Sequence, residues 1–338
     1  MKRITLLVIT IAVATMLQAQ KVALHTSTGV QLFSGTEAFK DAYNASSAGD
    51  TIYLPGGGFT TPNYIDKQLR IYGAGHYPDS TMATGQTFLL GVIYLQENAD
   101  GTYIDGVEIT SNVYFYSNHS INNVTLIRCK INGGIDIIGN MTNPSTNLNL
   151  LNNVIQGNIS FSNGQNIGLF NNIIQGRILN SFGNVIKNNI FLHSYSGTAS
   201  IYVMQGDNND IHNNIFWGID GRYLTGYSNK INNNIFVNSN PAFGTTPQAS
   251  GNYYPVTQAD ILVNHSGNAF GYEYDYHLQN PASYPGNDNE EVGIYGGYYP
   301  YKEGAVPSNP HIILKTIARE TDESGLLSIE VKAGAQKK

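Results

Sequence analysis

The chain of 338 residues has a formal net charge of −6, and only 12% of its residues are charged, against roughly 25% in an ordinary soluble domain. It contains 40 Asn, 36 Gly and 23 Tyr, and 41% of its residues are hydrophobic, a fraction that excludes a disordered chain. The acidic balance, without a Lys/Arg cluster in the body of the chain, excludes a typical nucleic-acid binder.

The first 19 residues have the order of a secretory signal peptide. Lys2 and Arg3 give a positive start, the apolar run 4–17 follows, and cleavage is expected after Ala19. This run is shorter than the ~20 residues that a helix needs to span a bilayer, so no transmembrane segment is predicted in the mature chain. The protein is therefore predicted to be exported to the periplasm, the cell surface or the medium.

An imperfect repeat fills the middle of the chain. Five segments share an Asn-Asn doublet between short apolar runs, and successive doublets are 19, 17, 25 and 20 residues apart. Residues 126–131 form a weaker copy with Arg-Cys in place of the doublet, and 103–108 form one that is weaker still. A period of about 20 residues without helical periodicity predicts a solenoid of β-strands. The doublets are Asn152-Asn153, Asn171-Asn172, Asn188-Asn189, Asn213-Asn214 and Asn233-Asn234.

The doublets have a physical explanation in such a solenoid. A sharp turn between two strands needs a residue that tolerates left-handed backbone angles, and Asn does so better than other non-glycine residues. The neighbouring Asn can point inward and hydrogen-bond to its copies about 4.8 Å above and below. We therefore interpret the doublets as a structural ladder rather than as ligand-binding residues.

Residues 102–240 resemble the single-stranded right-handed parallel β-helix superfamily that includes the pectate lyases. Residues 39–57 resemble the capping helix and first strand with which many members begin, and residues 69–75 resemble the next coil. The resemblance implies an all-β fold, a right-handed parallel β-helix over residues 20–305 with an N-terminal cap at 35–60.

The sequence changes character after the last doublet. Residues 241–301 are rich in Tyr, Pro and Gly, and we interpret them as the last coils and a cap, because the end of a solenoid must be covered. Residues 306–338 form a separate extension, in which 311–319 and 326–333 alternate like strands around a turn. The chain is therefore predicted to end in a small β-hairpin.

The catalytic signals of the superfamily are weak in this chain. Members that cleave acidic polysaccharides use carboxylate-bound Ca²⁺ with an Arg or Lys base, or clustered Asp pairs. The hydrolase motifs Asn-Thr-Asp and Gly-His-Gly do not occur, and the nearest match to a lyase motif, 217–222, lacks its His. His76 and His265 have no partner at metal-ligand spacing. No metal site or cofactor is predicted, and Ca²⁺ would be implied only for a lyase.

One polar cluster follows from the repeat register. Asp210 and Lys230 each lie three residues before the first Asn of their repeats, and His212 lies one before it, so all three should face outward on one sheet. Such a group could abstract a proton beside a sugar carboxylate, or it could be a solvated ion pair. It is the weak candidate for a catalytic site. Weak ligand-binding candidates nearby are Asp207, Tyr195 and Tyr202.

A second charged pair falls in the weaker early repeats. Asp105 and Arg128 are expected to lie one coil apart and to form a structural ion pair. Cys129 takes the place of a ladder Asn and is the sole cysteine, so it is expected to be buried and inert, and no intramolecular disulfide can form.

Three functions remain open from the sequence. The first is an exported, non-catalytic β-helix that binds a polysaccharide or another cell-surface partner. The second is a polysaccharide lyase or glycoside hydrolase acting on an acidic glycan, and the third is a structural or adhesive surface protein. Because carboxylates are sparse along the repeat, binding ranks ahead of catalysis.

Overall fold

The computed structural model describes residues 21–116, 118–193, 202–218 and 223–335. These residues form a parallel β-solenoid of about nine turns, in which three sheets run along the stack and each complete coil adds one short strand to each sheet. The all-β solenoid predicted from the repeat is confirmed. Neighbouring coils pair in the register predicted by aligning the doublets, as in the pairing of Ile186 with Ile211.

Sheet 1 contains the strand that precedes each Asn-Asn turn. In the three-residue strands from Thr51–Tyr53 to Lys230–Asn232 the middle residue points into the core, as Ile186, Ile211 and Ile231 do, and the flanking residues face outward. The weak early repeats are confirmed as coils, because Tyr103–Asp105 pairs with Thr125–Ile127. The order of strands is Gly29–Ser34, Lys21–Thr26, Thr51–Tyr53, Arg70–Tyr72, Tyr103–Asp105, Thr125–Ile127, Asn149–Leu151, Gly168–Phe170, Val185–Lys187, Asp210–His212, Lys230–Asn232 and Gln248–Ser250.

Sheets 2 and 3 complete each coil. Sheet 2 consists of Gly57–Thr60, Thr87–Leu90, Glu108–Ile109, Lys130–Ile131, Val154–Ile155, Ile173–Ile174, Ile190–Phe191, Ile215–Phe216 and Ile235–Phe236. Sheet 3 consists of Ile93–Leu95, Val113–Phe115, Ile135–Ile137, Ile159–Ser160, Ile178–Phe182, Met204–Asp207, Leu224–Tyr227 and Phe243–Thr245. Their inward residues stack coil upon coil in the core, where the Phe216 ring lies 4.8 Å from Phe191 and 4.7 Å from Phe236.

The N-terminal end of the stack is covered by a short helix, Ala38–Ala45. Its residues Ala38, Phe39, Ala42 and Tyr43 are buried, which is the i, i+3, i+4 pattern of a helix that packs one face on a core. The predicted N-terminal capping helix is confirmed.

Much of the tyrosine-rich region lies along the side of the solenoid, while Phe243 and Tyr254 pack against Phe236 at its end. Both residues of most sheet 2 strands are buried, because the outward ones, such as Ile173, Ile190 and Ile215, form a second apolar cluster with Tyr276 and Ile294 from this region. The sequence predicts a cap over the end, whereas only residues up to Tyr253 continue the coils. The physical reason is that sheet 2 is apolar on both faces and must be covered along its length.

The remaining elements are small. The predicted C-terminal hairpin is confirmed as an antiparallel pair, His311–Ile317 with Ile329–Gly334. Two further pairs are Ser145–Thr146 with Gly164–Gln165, and Leu262–Asn264 with Asp275–Leu278. Short 3₁₀ helices occur at Asp79–Thr81, Gln258–Asp260 and Pro281–Ser283.

Candidate functional site

The second Asn of each doublet forms a continuous ladder inside the solenoid. Asn172 Nδ2 donates to Asn189 Oδ1 at 2.9 Å, and the backbone N–H of Asn172 donates to the same oxygen at 2.9 Å. The same pair of bonds repeats between successive coils and extends to Asn252, one coil past the last doublet. The ladder side chains from Asn153 to Asn234 are buried with their amides satisfied. The ladder contains Asn153, Asn172, Asn189, Asn214, Asn234 and Asn252.

Cys129 ends this ladder. Its backbone N–H donates to Asn153 Oδ1 at 2.9 Å, while its side chain is fully buried. Burial raises the pKa of the Cys129 thiol to about 12, so it stays protonated at neutral pH.

The first Asn of each doublet binds a C-terminal segment instead. Each adopts the left-handed backbone expected for the turn, with φ between 53° and 58°. Residues 285–307, which we call the strap, run back along these turns, and Asn171 Nδ2 donates to Ile294 O and Gly296 O at 2.7 Å. The turn residues that hydrogen-bond to the strap are Asn152, Asn171, Asn188, Asn213 and Asn233.

A second, shorter ladder was missed by the sequence analysis. It lies at the turn from sheet 3 to sheet 1, where Asn209 Nδ2 donates to Asn229 Oδ1 at 3.1 Å and Asn184 N–H donates to Asn209 Oδ1 at 3.1 Å. The signal was present as an Asn four residues before the first Asn of three successive doublets.

The structure brings Asp210, His212 and Lys230 together on the outer face of sheet 1. Asp210 pairs in register with Lys230, and Asp210 Oδ1 lies 3.0 Å from His212 Nδ1. His212 is buried, and burial lowers its pKa although Asp210 opposes the shift. The strap borders the cluster, since its Asp288 pairs with Lys187 at 2.6 Å. The cluster is thus a packed polar contact with one exposed lysine.

The other ligand candidates lie elsewhere. Asp207 ends a sheet 3 strand, accepts a hydrogen bond from the Tyr227 N–H at 2.7 Å, and lines a shallow cavity of about 440 Å³ with Phe182 and Tyr227. It is therefore on a different sheet from Asp210. The Tyr202 carbonyl accepts a hydrogen bond from Arg177 Nε at 2.6 Å. Tyr195 lies outside the described residues.

A groove lies on the outer face of sheet 1 beside the strap. It consists of two cavities of about 550 and 450 Å³ that share Ser308 in their walls. Sheet 1 supplies one wall, and the strap with the two residues after it supplies the other. We call it the sheet 1 groove, and its lining residues include Arg70, Tyr72, Tyr103, Arg128, Tyr298, Tyr299, Lys302 and Ser308.

A buried ion pair lies directly behind the lining of this groove. Arg128 Nε donates to Asp105 Oδ1 at 2.8 Å and its Nη2 donates to Oδ2, and the Tyr103 hydroxyl donates to Asp105 Oδ2 at 3.1 Å. Burial would lower the pKa of Arg128, but its bonds to Asp105 outweigh this and raise it. The pair predicted between Asp105 and Arg128 is present, with Arg128 in the left-handed turn position at φ 51°.

Lys302 is the cationic side chain that the strap adds to the groove. Its backbone N–H donates to Asn152 Oδ1 at 2.9 Å, which fixes the residue beside sheet 1. Burial lowers the pKa of the Lys302 ammonium, and the nearby charge of Arg128 lowers it further. The charge of Asp105 opposes this shift in the pKa. Sequence reasoning missed this residue, because Lys302 and Arg128 are far apart in the chain.

Comparisons with known proteins do not add to this description: no family model, curated protein or solved structure matches the chain. Within the described ranges, no group of three or more His, Cys, Asp or Glu residues could hold a metal ion. Over the same ranges, no helix has the length and apolar character needed to cross a membrane. Fold and groove together define the chain as a parallel β-solenoid with a cationic groove on one sheet.

Proposed function

We propose that this protein is exported and binds an acidic polysaccharide in the sheet 1 groove. The observation that carries the proposal is the charge of the groove in a chain with a net charge of −6. Arg70, Arg128 and Lys302 line it, its described lining includes no Asp or Glu, and Asp105, which pairs with Arg128, is buried. A surplus of cations in an acidic protein favours an anionic ligand.

The shape of the groove favours an extended ligand. Its sheet 1 residues come from four successive strands, from Arg70–Tyr72 to the turn after Asn149–Leu151, which is three strand spacings or about 14 Å. Tyr298 is 86% exposed on the strap side and offers a free aromatic ring to a sugar. A polymer of charged sugars fits a long groove with both cations and a tyrosine.

The placement of carboxyl groups around the groove favours binding without hydrolysis. Glycoside hydrolases place two carboxyl groups roughly 5–9.5 Å apart on either side of the scissile bond. The described lining of the groove includes neither Asp nor Glu, and Asp105 behind it is held by two hydrogen bonds from Arg128.

A polysaccharide lyase is the second candidate, and Lys302 is the observation that favours it. A lysine whose pKa is lowered beside an arginine could take the proton next to a uronate carboxylate that the arginine neutralises. The glycosidic C–O bond on the neighbouring carbon would then break, its oxygen would take a proton from water, and an unsaturated uronate would remain at the new chain end. The cluster of Asp210, His212 and Lys230 is the alternative location for either activity.

Binding tests these proposals directly. We expect the purified protein to be retarded in gels that contain polygalacturonate or alginate, but not in gels that contain neutral dextran. Lys302→Gln and Arg70→Gln should each weaken binding about 10- to 100-fold, the value of one hydrogen bond to a charged group. Lys230→Gln removes the same charge from the other end of the same sheet and serves as the matched control.

Three outcomes would change the conclusion. Loss of binding in Lys230→Gln with normal binding in Lys302→Gln would place the site at the Asp210 cluster and refute the groove. Ultraviolet absorbance that rises on incubation with polygalacturonate, and is lost in Lys302→Gln, would make the protein a lyase. Equal binding to dextran would refute an anionic ligand.

A further inference from the structure

The C-terminal hairpin exposes apolar side chains that no other described element covers. Its strands, His311–Ile317 and Ile329–Gly334, pair only with each other. Ile317, Ile329 and Val331 are 48%, 60% and 54% exposed. Because a two-stranded hairpin is only marginally stable in water and gains from added strands, this element is suited to pair with another strand.

The strand Ile329–Gly334 is the edge available for pairing. The other strand has an irregular register between Ile312 and Leu314, and such irregularities protect an edge. At the turn end, the Ala318 N–H donates to Ser328 O at 2.9 Å. Since hydrogen-bonded and non-bonded pairs alternate along an antiparallel ladder, the backbone groups of Ile329 and Val331 point away from the hairpin.

We propose that this edge pairs with the same edge of a second copy of the chain, antiparallel and centred on Val331. In this register Val331 lies opposite its own counterpart, and each Glu330 lies opposite the Lys332 of the other copy. Two opposite-charge pairs therefore form across the two-fold axis. Centring the pairing one residue away would instead place two Glu330 or two Lys332 side chains face to face.

The apolar residues agree with this register. Ile317 pairs with Ile329, and Lys315 pairs with Val331, so Ile317, Ile329 and Val331 lie on one face of the hairpin. Pairing centred on Val331 brings the Ile329 and Val331 rows of two copies side by side on the same face of a four-stranded sheet. Glu330 and Lys332 lie on the other face, where they are 3.1 Å apart within one copy.

Sedimentation of the purified protein over a wide range of concentrations tests the proposal. We expect the wild-type protein to form dimers. Glu330→Lys and Lys332→Glu should each weaken dimerisation about tenfold or more, because both symmetry-related pairs then become like-charged. The double variant Glu330→Lys/Lys332→Glu restores opposite charges and should restore the dimer. Glu323→Lys makes the same charge change in the hairpin turn and should leave dimerisation unchanged.

A wild-type protein that stays monomeric at every concentration would overturn the proposal. A double variant that dimerises no better than the single variants would overturn the register centred on Val331. Because a single variant could also destabilise the hairpin, the double variant decides: it keeps every residue type of the wild-type strand and changes only their order.

Discussion

Removal of one ladder side chain, in Asn214→Ala, should lower the free energy of unfolding more than an ordinary surface substitution does. Asn214 Nδ2 donates to Asn234 Oδ1, Ile186 O and His212 O, and its Oδ1 accepts both the backbone and the side-chain N–H of Asn189. The alanine leaves the Asn189 N–H buried without this partner. Several neighbouring groups lose one bond each, and the site is fully buried.

The size of the effect follows from these contacts. One stranded buried N–H costs about 1–3 kcal/mol, and each of the four further lost bonds contributes about 0.5–1.5 kcal/mol, so we expect a loss of about 6 kcal/mol. For a chain with about 300 folded residues the unfolding entropy is about 0.6 kcal/mol/K, so the melting temperature should fall by about 10 °C.

Thermal melting followed by circular dichroism measures this loss. Asn268→Ala is the matched control, because it removes the same side chain from an exposed position away from the ladders. A melting temperature of Asn214→Ala that equals that of the control would refute the ladder as a source of stability.

The turn asparagines and one buried histidine give two further predictions. Asn213→Ala should lower the melting temperature more than Asn213→Gly does. Both variants lose the hydrogen bonds to Asp288 and Asn287, but only alanine is strained at φ 58°. Equal losses in melting temperature would exclude backbone strain. Burial lowers the pKa of His76 to about 3, so the unfolded chain binds a proton between about pH 6.5 and 3 that the folded chain excludes. Stability should therefore fall as the pH falls through this window, by about 1.4 kcal/mol per pH unit from this group, and His76→Gln should show a shallower slope in denaturant unfolding.

The missed contacts of the strap share one cause, distance along the chain. The strap residue Lys302 reaches Asn152 across about 150 positions, and its path follows no repeat. Gly106 shows the same dependence: its φ is 68°, and a Cβ atom there would lie 2.4 Å from the Pro307 ring. The sequence contains both residues but no pattern that pairs them.

The sequence by itself determined the solenoid and its inner ladder. Each coil repeats the same turn chemistry and the same inward residues at a spacing of 17 to 25 residues, so one period specifies every contact between neighbours. Only the tertiary structure decided what covers sheet 2 and where a groove forms. Outward-facing apolar residues such as Ile173 and Ile190 require a cover, but hydrophobic burial has no direction and does not specify which segment provides it.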